Sequence, residues 1–450
     1  MTTTAESFGT RQQKRAALAS LVGTTVEWFD FFIYATAATL VFSTVFFPDF
    51  GDNVGILASF ATLGVAFLAR PVGAFIFGHI GDRLGRRTTL IITLTVMGAS
   101  TGLIGLLPTW DQVGIWAPIL LTLLRFLQGV AVGGEWGGAV LMSVENAPRA
   151  RVRLYGSAPQ VASPLALVLA TIIMYFVARM PEEALMSWGW RIPFLAGFVL
   201  VAIGMIIRLG VAESSEFTAV KSSGAVEGYP ILQVLRHMPG KVAAGIGLQA
   251  SVIVLFYLIT TYMLTMATNT HGLARSETLL ILLVAAVVDL VAMIGVGMLC
   301  DHVSAWKVFI CGVVFTGVFA FPLFALYDTG NVWLMTVAFT LALVLGHATT
   351  YAVVSSLTAE LFPTNVRYSG VALCSAFSGV AWAAPTPLVA AALVPTDGSH
   401  HWWPLPAILV VTAVISLGSA LAAISRDTGG ISTSGSPGAP ARRTSTPEPV

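Results

Sequence analysis

Long apolar runs follow one another along most of the chain, at Leu18–Phe47, Gly55–Ile80, Thr88–Leu107, Ile115–Met142, Gly156–Ala178 and Ile192–Leu209. A polar stretch, Ala212–Lys241, interrupts them. Six more runs follow, at Val242–Ala267, Thr278–Cys300, Ala305–Tyr327, Val332–Leu357, Val371–Val394 and Trp402–Ile424. None alternates polar and apolar residues as a strand of a membrane barrel would. Each has about 18 residues or more, enough to cross a hydrocarbon layer of ~30 Å as a helix rising about 1.5 Å per residue. The pattern predicts an all-α polytopic membrane protein with twelve transmembrane helices.

The basic residues orient these spans. Arg83, Arg86 and Arg87 follow the second span, and Arg149, Arg151 and Arg153 follow the fourth. Lys221, Arg236 and Lys241 lie in the central stretch, and Arg11, Lys14 and Arg15 precede the first span. The alternate connections Pro48–Val54 and Pro108–Gly114 contain no lysine or arginine. Because positive loops stay on the cytoplasmic side, both termini and the central loop are expected there, which requires an even number of spans. The basic start followed by an apolar run is superficially like a signal peptide, but the run continues to Phe47 without a short core and cleavage site, so it reads as an uncleaved first span.

The expected organisation is a cytoplasmic tail (1–17), a six-helix bundle (18–210), a cytoplasmic loop (211–241), a second six-helix bundle (242–425) and a disordered cytoplasmic tail (426–450) rich in Gly, Ser, Thr and Pro. Ile231–Met238 in the central loop reads either as an amphipathic helix on the membrane surface or as a plain linker helix.

Composition agrees with this reading. Apolar residues make up 56% of the chain and charged residues only 10%, against roughly 25% charged in soluble domains, so the surface must face lipid. A formal charge of +1 argues against a nucleic-acid partner. The three cysteines, Cys300, Cys311 and Cys374, are far apart and read as reduced core residues. No P-loop, HExxH, nucleophile elbow or calcium loop occurs. No cofactor, metal site or enzymatic centre is therefore expected, and an ion gradient is the expected driving force.

The halves also repeat. Gly78-x-x-x-Asp82 matches Gly297-x-x-x-Asp301, and Glu145-x-x-Pro148 matches Glu360-x-x-Pro363, each of the latter pair followed by Arg and Gly (Arg153, Gly156; Arg367, Gly370). This predicts two pseudo-symmetric six-helix bundles related by an axis along the membrane normal.

The segment Gly78–Arg87, G-H-I-G-D-R-L-G-R-R, closely resembles the loop between spans two and three of the major facilitator superfamily, with Ile80 where that motif has Leu. V-E-W-F-D-F-F-I-Y (Val26–Tyr34), R-P-V-G (Arg70–Gly73), the run Arg125–Ala139 and E-L-F-P-T-N-V-R-Y-S-G (Glu360–Gly370) resemble its metabolite:proton symporter branch. The resemblance covers all but the tails. It implies the major facilitator fold and proton symport of osmolytes or organic acids. Gly78, Asp82, Arg83, Gly85, Arg86, Arg87, Glu145, Asp301, Glu360 and Arg367 are the candidate conformational latch. In it Asp82 faces the positive end of a helix in the other bundle, and the arginines hold carboxylates or helix ends. The second motif departs from the pattern, since Asp301-His302 lacks the Gly-Arg pair, which argues against a symmetric latch.

Charges inside spans cost at least ~2.5–3.5 kcal/mol at the bilayer centre and are functional candidates by default. Glu27, Asp30 and Tyr34 form one stripe on the first span, and Arg125, Gln128 and Glu135 share a face of the fourth. If both stripes face one cavity, Glu27, Asp30 and Glu135 are the proton-coupling candidates. A carboxyl in an apolar cavity prefers its neutral form, and a nearby arginine favours the ionised one. Two readings of Arg125 stand. It grips a substrate carboxylate through its planar fork, or it pairs with Asp30 or Glu135 and fixes helix packing. Tyr34 and Gln128 are further substrate-contact candidates; Gln160, Gln249, Tyr257, Tyr262, Tyr351 and Trp382 read either as contacts of the cavity or as ordinary packing. Asp289 and His347, with no evident local partner, are divided between cavity function and structural hydrogen bonding. Arg70 reads as reaching a backbone carbonyl freed by Pro71. Gly129, Gly133 and Gly137 read as a close-packing face.

The resulting expectation is a monomeric, plasma-membrane proton symporter of a small organic acid (a dicarboxylate, shikimate-like or aromatic acid). The rivals are a symporter of zwitterionic osmolytes such as proline or betaine, and a membrane sensor that has lost transport. The absence of a long charged heptad tail and of any large signalling domain counts against these rivals.

Overall fold

The computed structural model describes residues 11–50, 52–84, 86–133, 152–209, 230–363, 366–394 and 402–430. Among them there are helices and connections but no strand. Eleven helices are long and apolar enough to span a membrane: α1 (Ser20–Phe46), α2 (Val54–Phe77), α4 (Trp116–Gly133), α5 (Ala158–Ala178), α6 (Gly189–Ile206), α7 (Pro239–Asn269), α8 (Arg275–Leu299), α9 (Ala305–Asp328), α10 (Val332–Glu360), α11 (Ser369–Leu393) and α12 (Pro404–Ser425). The twelfth is α3 (Arg86–Gly105), whose apolar stretch, Ile91–Gly105, is shorter. Its polarity has a reason: Thr93, Ser100 and Thr101 are all buried inside the protein rather than turned to lipid.

The packing repeats between halves. In the first, α1 packs on α5 and α6, α2 on α4, and α3 on α6; in the second, α7 packs on α11 and α12, α8 on α10, and α9 on α12. Each pair becomes its counterpart when six is added to both helix numbers. The seams between halves obey the same rule: α5 meets α8, and α11 meets α2.

Lipid-facing positions are apolar, as at Leu68, Val291 and Val318. Trp116, Trp188, Trp333 and Trp403 are each more than half exposed. They begin α4, α10 and α12 or join α5 to α6, so all four fall at the face opposite the chain ends. Tryptophans gather in this way at a membrane–water interface. The short helix Pro230–His237 precedes α7. Val234 on it is fully buried with Phe362 and Val366, while Leu232 is exposed. One side is thus docked on the second half.

Glycine sets the spacing of α2 and α4. A side chain at Gly129 or Gly133 would overlap the backbone carbonyls of Ala66 or Arg70, and one at Gly73 would overlap that of Val130. The glycine face expected on the fourth span therefore packs against α2 at backbone contact; Gly137 lies outside the described residues. Pro71 is accommodated inside a helix running without a break over Asp52–Leu84.

Candidate functional site

Close contact of α2 and α4 sets two arginines, Arg70 and Arg125, beside the polar stripe of α1. The stripe divides between them. Arg125 Nη1 lies 3.3 Å from Asp30 Oδ2 and donates to Gln128 Oε1 at 2.8 Å. Gln128 Nε2 donates to Asp30 Oδ1 and to Thr101 Oγ1, both at 2.9 Å. Thr101 Oγ1 is 2.6 Å from Asp30 Oδ1. The guanidinium carbon of Arg125 sits 3.5 Å above the ring centre of Tyr34. The Tyr34 hydroxyl is 2.6 Å from Thr62 Oγ1, which itself donates to the carbonyl of Ser59. All these side chains are buried. A carboxylate in an apolar interior is tolerable only when paired and hydrogen-bonded, and this network supplies one cation and two neutral donors. Nε and Nη2 of Arg125 have no hydrogen-bond partner, which leaves donor capacity for rearrangement.

Glu27, one turn earlier on α1, faces the other arginine. Arg70 Nη2 lies 3.9 Å from Glu27 Oε1, beyond hydrogen-bond distance, and its guanidinium carbon lies 4.5 Å from the centre of the Phe67 ring. No hydrogen bond of Arg70 is found among the described residues, and its buried Nε has no partner. The expectation that Arg70 reaches a carbonyl freed by Pro71 is thus corrected. Its side chain is turned into a cavity.

That cavity, ≈ 530 Å³ with its opening, lies between the halves. The first half contributes Trp28, Phe67, Arg70 and Ser163. The second contributes Gln249, Phe256 and Tyr257 from α7, His347 and Tyr351 from α10, and Ser375 and Gly379 from α11. π-Helical turns open α7 at Leu258–Tyr262, α10 at Ala342–Ala348 and α11 at Gly379–Ala383, next to or within the lining. Such turns frequently mark functional positions in helices. Asp289 is fully buried behind the wall, with Oδ2 3.0 Å from Nδ1 of His347.

Several expected positions therefore separate. Gln249, Tyr257 and His347 line the cavity. Asp30, Tyr34, Arg125 and Gln128 do not; the two stripes meet each other instead of sharing an open face. Gln160 is buried outside the lining, and Trp382 donates its ring N–H to the carbonyl of Ile246 at 3.0 Å. Asp289 and His347, read as having no local partner, are partners of one another. Sequence reasoning passed over Trp28, Phe67, Ser163 and Phe256 in the wall and Thr101 and Thr62 in the network. Only Arg70 carried a usable signal, as a charge at membrane depth.

Of the latch candidates, Asp301 Oδ1 accepts from the backbone N–H of Leu154 at 3.4 Å, reaching from the end of α8 to the helical turn Val152–Gly156 ahead of α5. Gly297, one turn earlier, faces Ser157 of the other half. Arg367 donates locally, to the carbonyl of Phe362 at 3.3 Å, and Glu360 is exposed at the end of α10. Gly85, Glu135 and Glu145 lie outside the described residues, as do the side chains of Asp82, Arg83, Arg86 and Arg87; Gly78 lies in the same segment. At the opposite face Arg275 Nη1 lies 2.6 Å from Glu182 Oε2, so the α5–α8 seam is bridged near both ends.

A family model described as sugar (and other) transporter matches residues 16–237. The shikimate transporter of Escherichia coli (strain K12) is 38% identical over 412 residues, covering 91% of this chain and 94% of that protein. The chain belongs to the metabolite:proton symporter family of the major facilitator superfamily. The inner membrane metabolite transport protein YhjE of the same organism is 39% identical, covering 84% of this chain and 87% of its own length. The glycine betaine/proline/ectoine/pipecolic acid transporter OusA of Dickeya dadantii (strain 3937) is 33% identical over 90% of this chain and 82% of that protein. Among solved structures, the proton:xylose symporter XylE bound to 6-bromo-6-deoxy-D-glucose superposes with a TM-score of 0.73 at 18% identity, covering 92% of this chain and 95% of that one. This likeness shows the twelve-helix fold. The protein is a multi-pass secondary transporter of the membrane and not an enzyme.

Proposed function

We propose that this transporter carries a small organic acid together with protons, with Arg70 as the carboxylate anchor and Asp30 as the proton-coupling acid. The observation that carries the reading is the state of Arg70. A guanidinium facing a cavity between the halves, 3.9 Å from the carboxylate of Glu27 and with no hydrogen bond among the described residues, keeps its planar fork available for a bidentate grip on a second carboxylate. Aromatic walls at Trp28, Phe67, Phe256 and Tyr351 suit the body of a ring-bearing acid better than a flexible dicarboxylate. Similarity to a shikimate transporter supports the same class.

Asp30 suits proton coupling because the cation paired with it, Arg125, belongs to the same half, on α4. Rocking of the halves, by changing solvent access to this network, changes which charge state of Asp30 is favoured. Glu27 holds Arg70 when no substrate is bound and yields to the substrate anion. The Leu154–Asp301 and Glu182–Arg275 contacts open in alternation as the α5–α8 seam rocks. On this reading both termini lie in the cytoplasm, the bundles span 18–210 and 242–425, and the working unit is a monomer.

The aromatic wall also favours a second reading, since such rings bind quaternary ammonium groups and a betaine carries both that group and a carboxylate. Proteoliposomes with an imposed inward proton gradient discriminate between the two. Accumulation of radiolabelled shikimate, abolished by a protonophore, supports the organic-acid reading; accumulation of glycine betaine with no uptake of shikimate transfers the assignment to an osmolyte.

A further inference from the structure

A second titratable pair lies across the cavity, in the half that contributes neither Asp30 nor Arg70. Asp289 on α8 is fully buried, and its Oδ1 has no hydrogen-bond partner. Its other oxygen meets His347 Nδ1 at 3.0 Å. The imidazole is held in a sandwich, its centre 4.5 Å from Phe256 and 5.0 Å from Tyr351, with both rings within 25° of parallel. His347 belongs to the π-helical segment Ala342–Ala348, and it both lines the cavity and touches Asp289. A carboxyl so placed costs several kcal/mol if ionised without a cation, and among the described residues its ion-pair partner is His347 rather than an arginine or lysine.

We propose that Asp289 and His347 form a second proton-binding site, whose occupancy is linked to that of the cavity by the charge of the bound anion. The proton enters from cavity water onto the imidazole. The imidazolium then compensates Asp289 on one edge and faces the substrate carboxylate on the other. Removal of the anion takes one counter-charge away from the imidazolium, so the pair then holds its proton less tightly. Anion and proton thus strengthen each other's binding by one and the same factor. The groups surrounding the pair are consistent with this. Tyr257 on α7 and Tyr351 on α10 are neutral phenols of the same wall, and Arg70 with Glu27 form a balanced pair across the cavity. The charged residues of α9, Lys307 and Asp328, sit near its two ends.

The inference rests on the organic-acid reading only for the identity of the anion, and its first test needs no substrate. In a chain whose other six histidines are glutamine, with ring ¹⁵N labelling, infrared difference spectra across a step from about pH 5 to about pH 9 are expected to contain isotope-sensitive imidazole bands, altered in Asp289→Asn. Absence of those bands overturns the proposal. If that variant does not fold, the same spectra compared between the native chain and His347→Gln decide the matter in the same way. The second test is equilibrium binding of shikimate at about pH 5.5 and about pH 7.5 in an Asp30→Asn background, where affinity is expected to fall about tenfold on raising the pH. Adding His347→Gln is expected to flatten this to under about twofold; an unchanged ratio overturns the linkage. Failure of the native chain to bind shikimate at either pH refutes the organic-acid reading alone, because the infrared result stands apart from it.

Discussion

Arg125 and Arg70 stand on neighbouring helices and reach toward carboxylates one turn apart on α1, yet their surroundings differ. The side chain of Arg125 is 2% exposed, stacked on Tyr34 and bonded into a network that includes Gln128 and Thr101; that of Arg70 is 15% exposed, loosely paired and open to the space between the halves. Depth in the membrane is therefore a poor guide to which arginine meets a ligand. What separates them is whether neutral donors and aromatic faces of the same half have already filled the arginine's surroundings.

The comparison can be broken by substitution. Arg125→Ala leaves Asp30 buried without its cation and is expected to destabilise the protein by about 3–5 kcal/mol, read as a large fall in the melting temperature of the purified protein, whereas Arg70→Ala should lower it far less. Asp30→Asn keeps the shape and the contacts to Thr101 and Gln128, so folded protein is expected at normal yield. Gradient-driven accumulation should nevertheless fall by about tenfold for each pH unit of the imposed gradient, because one coupled proton crossing one pH unit is worth about 1.4 kcal/mol, a factor of ten, while substrate exchange without a gradient persists. Undiminished accumulation would remove Asp30 from the mechanism. Arg70→Lys should weaken substrate binding about tenfold with little change in melting temperature, because an ammonium cannot reproduce the bidentate fork; the same substitution at Arg125 is expected to affect stability first. Glu182→Gln is expected to be the mildest, under about 1 kcal/mol in stability, because this pair is exposed to solvent, with a measurable rise in the accessibility of the cavity from that face to a small thiol reagent at an engineered cysteine.

Much of the fold was legible because hydropathy and basic loops report directly on length and side of the membrane. Eleven of the twelve expected runs coincide with their helices to within a few residues, and the fourth begins with α4 while its expected end, Met142, lies outside the described residues; α3 has the shortest apolar stretch for an intelligible reason, since it gives a polar edge to the Asp30 network through Thr101. The site was legible only in part. Spacing on one helix places Glu27, Asp30 and Tyr34 on a stripe, but the rotation of that helix against α2 and α4 decides which arginine each acid meets. That rotation depends on backbone contacts at Gly73, Gly129 and Gly133. Pro71 misled for a similar reason: a proline suggests a freed carbonyl nearby, but α2 stays continuous and Arg70 points elsewhere. Asp289 and His347 are 58 residues apart in sequence and become partners only because α8 packs on α10.

The most direct measurement is a structure of the protein with shikimate bound. The account predicts the carboxylate within hydrogen-bond distance of two nitrogens of Arg70, with Glu27 displaced from that guanidinium and the Asp30–Arg125 contact intact. A carboxylate bound instead to Arg125, or seated in the cavity with Arg70 still turned to Glu27 alone, would contradict it.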